Sequence, residues 1–438
     1  MKKLFLAIAL VANASGLTLV ADSLDDVREN PRITASNHYA YPDKDLPELS
    51  AAPAGYEPFY MAHYGRHGSR WLCDRGEYDL PVNAMEGIDR AGHLTPLGKE
   101  TLADLKKVQA HAYKRWGELT DLGAVQHQGI GRRMGERFPE IFGRPDSRVK
   151  ARSSVVNRCV LSMTNEMQEL KARYPQLAID TDASESFMWY IARGATHELR
   201  KHASESQKLN DRYRRELTKS DRFVSQLVSD PSYARDSVDG FALIRAFFHV
   251  AGIQQNHLDG GVDFYHLFTP EELHAIWQGE NASHYMDYSH APQSGALMPY
   301  GESHLLRHLV ADVDEALASG VRGADMHFGH EIFFLPLTCL MELGWSADRI
   351  DDIRDISERW RSYELFPMAC NIQMIFYHDS TDASRPVLVK TLLNEREVTL
   401  PVTASEGFYY RWDDLRNYYL AKIDTFEAVH PELMPAAR

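Results

Sequence analysis

The densest run of chemically capable residues in the 438-residue chain is His63-Tyr64-Gly65-Arg66-His67-Gly68-Ser69-Arg70. It closes an aromatic and apolar segment, residues 57–64, whose composition predicts a β-strand ended by Gly65. Strand ends are where α/β sheets place their ligand sites. Two arginines flank His67, and guanidiniums are permanent cations whose planar donor forks suit phosphate or carboxylate oxygens. Clustered cations also disfavour protonation of His67, which leaves a neutral imidazole able to attack as a nucleophile. Gly68 lets the backbone approach a bound group closely. An isolated Arg-His pair reads best as a solvated loop, but this arrangement at a strand end favours a site.

Other patterns carry less. His330-Glu331-Ile332-Phe333-Phe334 begins like a zinc protease motif and lacks the second histidine four residues on. His327 and His330 are three apart, but a strand-to-loop segment gives no helical reason for them to converge on a metal, and His327 reads as structural. Gly-x-Ser-x-Gly is absent, which removes the nucleophile-elbow hydrolases. Glu198, Arg200, Lys201 and His202, with Arg212, Arg214 and Arg215, read as a solvated helical face rather than part of a cleft. Cys73, Cys159, Cys339 and Cys370 form no Cys-x-x-Cys pair; disulfides and buried thiols both remain open.

These residues need a scaffold, and 438 residues suffice for two or three structural units of about 100–200 residues each. With 44% hydrophobic and 25% charged residues the chain is neither disordered nor fibrous. Residues 1–21 read as an export signal: Lys2 and Lys3, an apolar run over 4–12, then small residues at Ala12-Asn13-Ala14 and Leu19-Val20-Ala21, either of which fits cleavage. No later run approaches about 20 apolar residues, so no membrane span is expected, and the mature chain is placed in the periplasm or outside the cell. Losing 1–21 takes the net charge from −14 to −16, which repels nucleic acid and anionic membranes. An anionic ligand would need a locally basic pocket.

Residues 22–55 read as an irregular arm. Helices are expected after Thr95-Pro96 and Thr120-Asp121, the second over 121–138, followed by a short strand at 147–156 and a helix at 158–172. Residues 184–290 look mostly helical, with a capping box at Thr269-Pro270-Glu271-Glu272. A helix at 302–318, a strand at 324–328 and an apolar helix from near Ile332 come next. Strands at 370–377 and 386–393 follow, the latter turning through Asn394-Glu395-Arg396 into 398–402. The alternation predicts a layered α/β core, a central sheet flanked by helices, built from 22–183 and 296–438 with a mostly helical cap inserted at 184–295.

Arg66-His67-Gly68-Ser69-Arg70 matches the Arg-His-Gly-x-Arg signature of the histidine phosphatase superfamily. Leu119-Thr120-Asp121-Leu122-Gly123-Ala124-Val125-Gln126, with Gly129 and Gly131, resembles the next helix of its acid phosphatase and phytase branch. Arg152-Ser153-Ser154, with Arg158 further on, resembles that branch's second basic segment, and Phe328-Gly329-His330-Glu331 its C-terminal His-Asp or His-Ala-Glu segment. The matches keep order and spacing over roughly residues 56–420, and the chain is most similar to bacterial multiple inositol polyphosphate phosphatases and related phytases.

The resemblance implies that His67 attacks phosphorus and becomes a phosphohistidine, with Arg66, Arg70, Arg152 and His330 holding the phosphoryl oxygens and no metal or cofactor required. The expected ligands are small phosphate esters, inositol polyphosphates such as phytate first, other acid or sugar phosphatase substrates second. Glu331 is the expected proton donor to the leaving oxygen. It stands where most phytases have aspartate, and Ile332 stands where the His-Ala-Glu type has its glutamate, so the donor is either Glu331 or an acid from elsewhere. A non-catalytic binder of phosphorylated ligands is the reading from another class.

Overall fold

The computed structural model describes residues 22–44, 46–193 and 195–433, so the expected export signal at 1–21 lies outside the described residues. The strand that leads to the arginine and histidine run is β1, Tyr56–Arg66, buried along nearly its whole length. Apolar on both faces, it belongs in the middle of a sheet. Gly65 does not end it: Gly65 and Arg66 stay in register with Phe328 and Gly329 of β4, Gly323–Gly329. The glycine instead makes room for a neighbour, since a Cβ there would lie 2.7 Å from Cε1 of His63.

The other strands are β2 (Arg148–Ser153), β3 (Ala178–Ala183), β5 (Asn371–Asp379), β6 (Leu388–Leu393), β7 (Arg396–Glu397), β8 (Ala404–Glu406) and β9 (Tyr409–Arg411). They form one nine-stranded sheet in the order β3-β2-β4-β1-β5-β6-β9-β8, with β7 also on β6. The pairs from β3 to β1 are parallel and those from β1 onward antiparallel. The C-terminal ends of β1, β2 and β4 therefore open at one edge of the expected α/β core, where parallel sheets bind ligands.

The helices start where their caps predict. Thr95 and Thr120 accept hydrogen bonds from the backbone of Gly98 and Gly123 at the heads of Pro96–His111 and Asp121–Arg137; each cap is worth about 1 kcal/mol. The site loop packs directly on the second of these helices, because a Cβ on Gly68 would lie 2.4 Å from the Gly123 carbonyl oxygen. Asn157–Arg173 crosses the same helix just as closely at Gly131, where a Cβ would meet the Glu166 carbonyl at 2.6 Å. The middle of the chain is helical as expected, and the capping box of Thr269 and Glu272 heads Pro270–Tyr288. Its apolar cluster unites Phe223, Phe247 and Trp277 with Trp71, Met85 and Leu105, so the helices Arg75–Arg90 and Pro96–His111 pack against this middle region.

Two further expectations change, and the open choice between disulfides and thiols closes. The arm is not irregular throughout, because Asp22 and Asn30 side chains cap a helix at Ser23–Glu29 and a 3₁₀ segment at Pro31–His38. Residues 398–402 form no strand. Asn394 and Glu395 make a tight turn with positive φ at both, but the return leg pairs only at Leu392 and Leu393, since β9 takes the same edge of β6 at Leu388 and Val389. All four cysteines are free thiols, buried except Cys73.

Candidate active site

His67 is the first residue past β1, and its backbone N–H donates to the Gly329 carbonyl at 3.0 Å, tying the loop to the end of β4. Its ring Nδ1 lies 2.9 Å from the carbonyl oxygen of Gly68. A carbonyl only accepts, so Nδ1 carries the proton and Nε2 keeps its lone pair. That Nε2 is buried with no hydrogen-bond partner. Burial holds the imidazole well below its ordinary pKa, aided by Arg66 and opposed by Glu331. The result is a neutral, oriented imidazole with its nucleophilic nitrogen free.

Three guanidiniums face it. Arg66 is anchored through Nη1 to the carbonyls of Phe366 and Pro367 at 3.0 and 3.1 Å, and its buried Nε and Nη2 have no hydrogen-bond partner. Arg70 is anchored to the Trp71 carbonyl at 2.9 Å and leaves Nε unpartnered. Arg158, in the first turn of Asn157–Arg173, donates to the Gly117 carbonyl at 3.2 Å and has Nη2 3.3 Å from Nδ1 of His330. The His330 ring stands 5.5 Å from that of His67 and contacts the Ser154 hydroxyl through Nε2. Burial, with Arg158 beside it, pushes His330 down to about 4.

Glu331 is the first residue of the helix Glu331–Leu340. Its carboxylate lies 3.3 Å from Arg66 Nε, 3.5 Å from His67 Nε2 and 3.7 Å from Arg70 Nη2. Burial alone would raise its pKa, but Arg66, His67 and Arg70 outweigh that and hold it well below the usual carboxylate range. An anion thus occupies the space between cations and nucleophile, the place an incoming oxyanion would claim. His67, His330 and Glu331 bring one ligating atom each within 4.8 Å of one another. A metal cation there would face three guanidiniums, so the surroundings favour an anion instead.

Arg66, His67, Arg70, His330 and Glu331 are brought together; Arg152 is not. Side chains alternate across a strand, and on β2 the flanking Ala151 and Ser153 are the buried ones. Arg152 turns back along the outer strand to bond the Asp180 carbonyl and carboxylate, at 3.1 and 2.6 Å, and lies over the Phe187 ring. Arg158 stands beside His330 instead. On this geometry Arg158→Ala should lower kcat/KM on a phosphate ester by about 10²–10³-fold, the cost of removing one preorganised oxyanion donor. Arg152→Ala should change it by less than about threefold; steady-state kinetics on both variants, with the reverse ranking, would return the role to Arg152.

A buried pair beneath the loop was not singled out from the sequence. His127 has Nε2 3.1 Å from the Arg66 carbonyl oxygen and Nδ1 2.8 Å from the Glu166 carboxylate. Both lie on the crossing helices, and only their packing shows that they meet under Arg66. Ser69 is fixed in the same way, its N–H donating to Gln126 at 2.8 Å and its hydroxyl to Asn256 at 2.5 Å.

No family model matches the chain, and no curated protein sequence does. Solved structures do match. The multiple inositol polyphosphate phosphatase of Bifidobacterium longum, in complex with inositol hexasulfate, superposes with a TM-score of 0.73 over 89% of this chain and 97% of that one, at 17% identity. The chain has the fold of that phosphatase. The phytase of D. castellii follows at 0.66 and 12% identity, over 89% of this chain and 85% of its own. That of Klebsiella sp. ASR1 stands at 0.52 and 11% identity, over 90% and 98%.

Proposed function

We propose that the protein is an exported phosphomonoesterase that hydrolyses inositol polyphosphates through a phosphohistidine at His67. One observation carries the chemistry: a neutral, buried histidine whose Nε2 has no hydrogen-bond partner stands among Arg66, Arg70 and Arg158, each of which keeps a buried, unpartnered N–H. In phosphoryl transfer charge spreads over three equatorial oxygens, and fixed donors around an in-line nucleophile supply most of the stabilisation. The fold shared with an inositol polyphosphate phosphatase and phytases supports the substrate class. Export rests on residues 1–21, and the division into a core of 22–183 and 296–438 with a cap at 184–295 belongs to the same reading.

The substrate phosphoryl group takes the place of the Glu331 carboxylate among the guanidiniums. Beside a bound phosphate anion, and with the arginine charge now shared, that carboxyl becomes easier to protonate. His67 Nε2 attacks phosphorus, the bond to the ester oxygen breaks, and Glu331 gives its proton to the departing alkoxide. Water then attacks the phosphohistidine, Glu331 takes a proton from it, and the N–P bond breaks to release inorganic phosphate and restore His67. Arg66, Arg70 and Arg158 hold the oxygens throughout, and His330, whose Nδ1 accepts from Arg158, donates to one of them from Nε2 in place of its contact with Ser154.

The test is to mix the purified protein with phytate at mildly acidic pH, follow inorganic phosphate, and quench samples to look for an acid-labile, alkali-stable phosphoenzyme. Both signals are expected. Release from p-nitrophenyl phosphate alone would move the substrate class elsewhere, and neither signal, with retained ligand binding, would make the protein a binder.

A further inference from the structure

Away from the arginine cluster, the helix Ser303–Ser319 and β4 bring three ligating atoms together. His308 and Asp312 are one helical turn apart and share a face, and His327 reaches them from β4. The Asp312 Oδ2 atom lies 3.5 Å from His327 Nε2 and 3.7 Å from His308 Nε2, and all three atoms fall within 4.8 Å of one another. That oxygen is buried and has no hydrogen-bond partner.

At 3.5 and 3.7 Å neither contact is a hydrogen bond. The spacing suits donors that share a tetrahedral metal, since bonds of about 2.0–2.1 Å put neighbouring ligands about 3.4 Å apart. His327 is also prepared for the task. Its Nδ1 lies 3.3 Å from the His63 carbonyl oxygen, so the proton sits there and the Nε2 lone pair points at Asp312. A ligating imidazole held by a backbone carbonyl through its other nitrogen is the usual supporting arrangement in metal sites. Tyr190 stacks on the His308 ring at 3.6 Å and meets His327 edge-on, fixing both planes. Asp312 also lines a cavity of about 480 Å³, with Glu315 and Asp325.

We propose that His308, Asp312 and His327 bind one zinc ion, with water as the fourth ligand. Two imidazoles and a carboxylate form a zinc donor set. The ion would tie the helix Ser303–Ser319 to β4 three residues before His330, a structural clamp independent of the phosphatase reading.

The experiment is Co²⁺ titration of the untagged, chelator-treated full chain, followed by displacement with Zn²⁺ and thermal melts with and without Zn²⁺. The wild type is expected to bind one equivalent of Co²⁺ with the visible absorption of a four-coordinate ion, to lose it on adding Zn²⁺, and to melt at a higher temperature with Zn²⁺. His308→Gln and the nearly isosteric Asp312→Asn should abolish that absorption and that shift. Far-UV circular dichroism checks their fold, and either folded variant suffices. Glu331→Gln, in the other cluster, should keep the full signal. No uptake by the wild type, or uptake that survives in a folded His308→Gln or Asp312→Asn variant, would overturn the proposal and leave Asp312 sharing a proton with its histidines.

Discussion

His67→Ala is expected to lower phosphate release from phytate by about 10⁵-fold or more, the scale on which removing a catalytic nucleophile acts. The structure argues for so large a loss because none of the other groups described near the guanidiniums presents a free nucleophile to a bound phosphoryl group. Of the other groups described there, His330 has both ring nitrogens engaged by Ser154 and Arg158, burial raises the Cys159 thiol to about 12, and the Glu331 carboxylate is held by Arg66 and Arg70 in the place the phosphoryl group must enter. The same geometry sets the pH dependence. His67 is held well below its ordinary pKa, chiefly by burial, so its reactive neutral form persists as the medium acidifies. Phosphate release by the wild type should not fall as pH drops through about 6.5, where a free imidazole would gain its proton. Initial rates from pH 4 to 8 read this directly, and a decline centred near 6.5 would show His67 to be ordinarily solvated.

Glu166→Ala is expected to destabilise the protein by about 3–5 kcal/mol, the cost of removing one member of a buried ion pair. Glu166 and His127 are both fully buried, and the imidazole bridges the carboxylate to the Arg66 carbonyl. With acceptors at both ring nitrogens, the pair needs one proton beyond neutral imidazole and carboxylate, held as imidazolium or as carboxylic acid. Deleting the carboxylate strands that nitrogen and opens space beside Gly131, where the helices cross most closely. Glu166→Gln keeps the shape and one hydrogen bond and should cost about 1 kcal/mol, the worth of an ordinary hydrogen bond. Urea denaturation of both variants checks the difference, and equal midpoints would show that shape alone matters. The pair acts by positioning, so Glu166→Gln should change KM and kcat together rather than shift the pH profile.

Much of this was open to reading in the chain itself. The threonine caps of two helices, the capping box at Thr269 and the buried strand before His67 are local features, governed by residues within a few positions of each other. So is the clustering of Arg66, His67 and Arg70, which one strand end and one turn keep together whatever the rest of the chain does. The expected alternation of strands and helices and the helical middle follow from periodicity, which survives without tertiary contacts.

Arg152 and Arg158 show where that reach stops. Both lie in one basic segment, and the choice between them depends on which face of β2 a side chain leaves and on how the next helix is aimed. The strand alternation sends Arg152 to Asp180, while the helix start carries Arg158 to His330. The loss of the strand at 398–402 has the same origin, since β9 competes for an edge from a dozen residues away. The meetings of His127 with Glu166, and of His308 and Asp312 with His327, join elements whose separation in sequence says nothing of their distance in space. The amino-acid sequence by itself determined which nucleophile and cations stand at the end of β1, because their spacing is covalent. Which further cation completes that set, and which histidines pair below and beside it, was decided by the packing of helices on the sheet, because only close-packed surfaces select among side chains of equal chemistry.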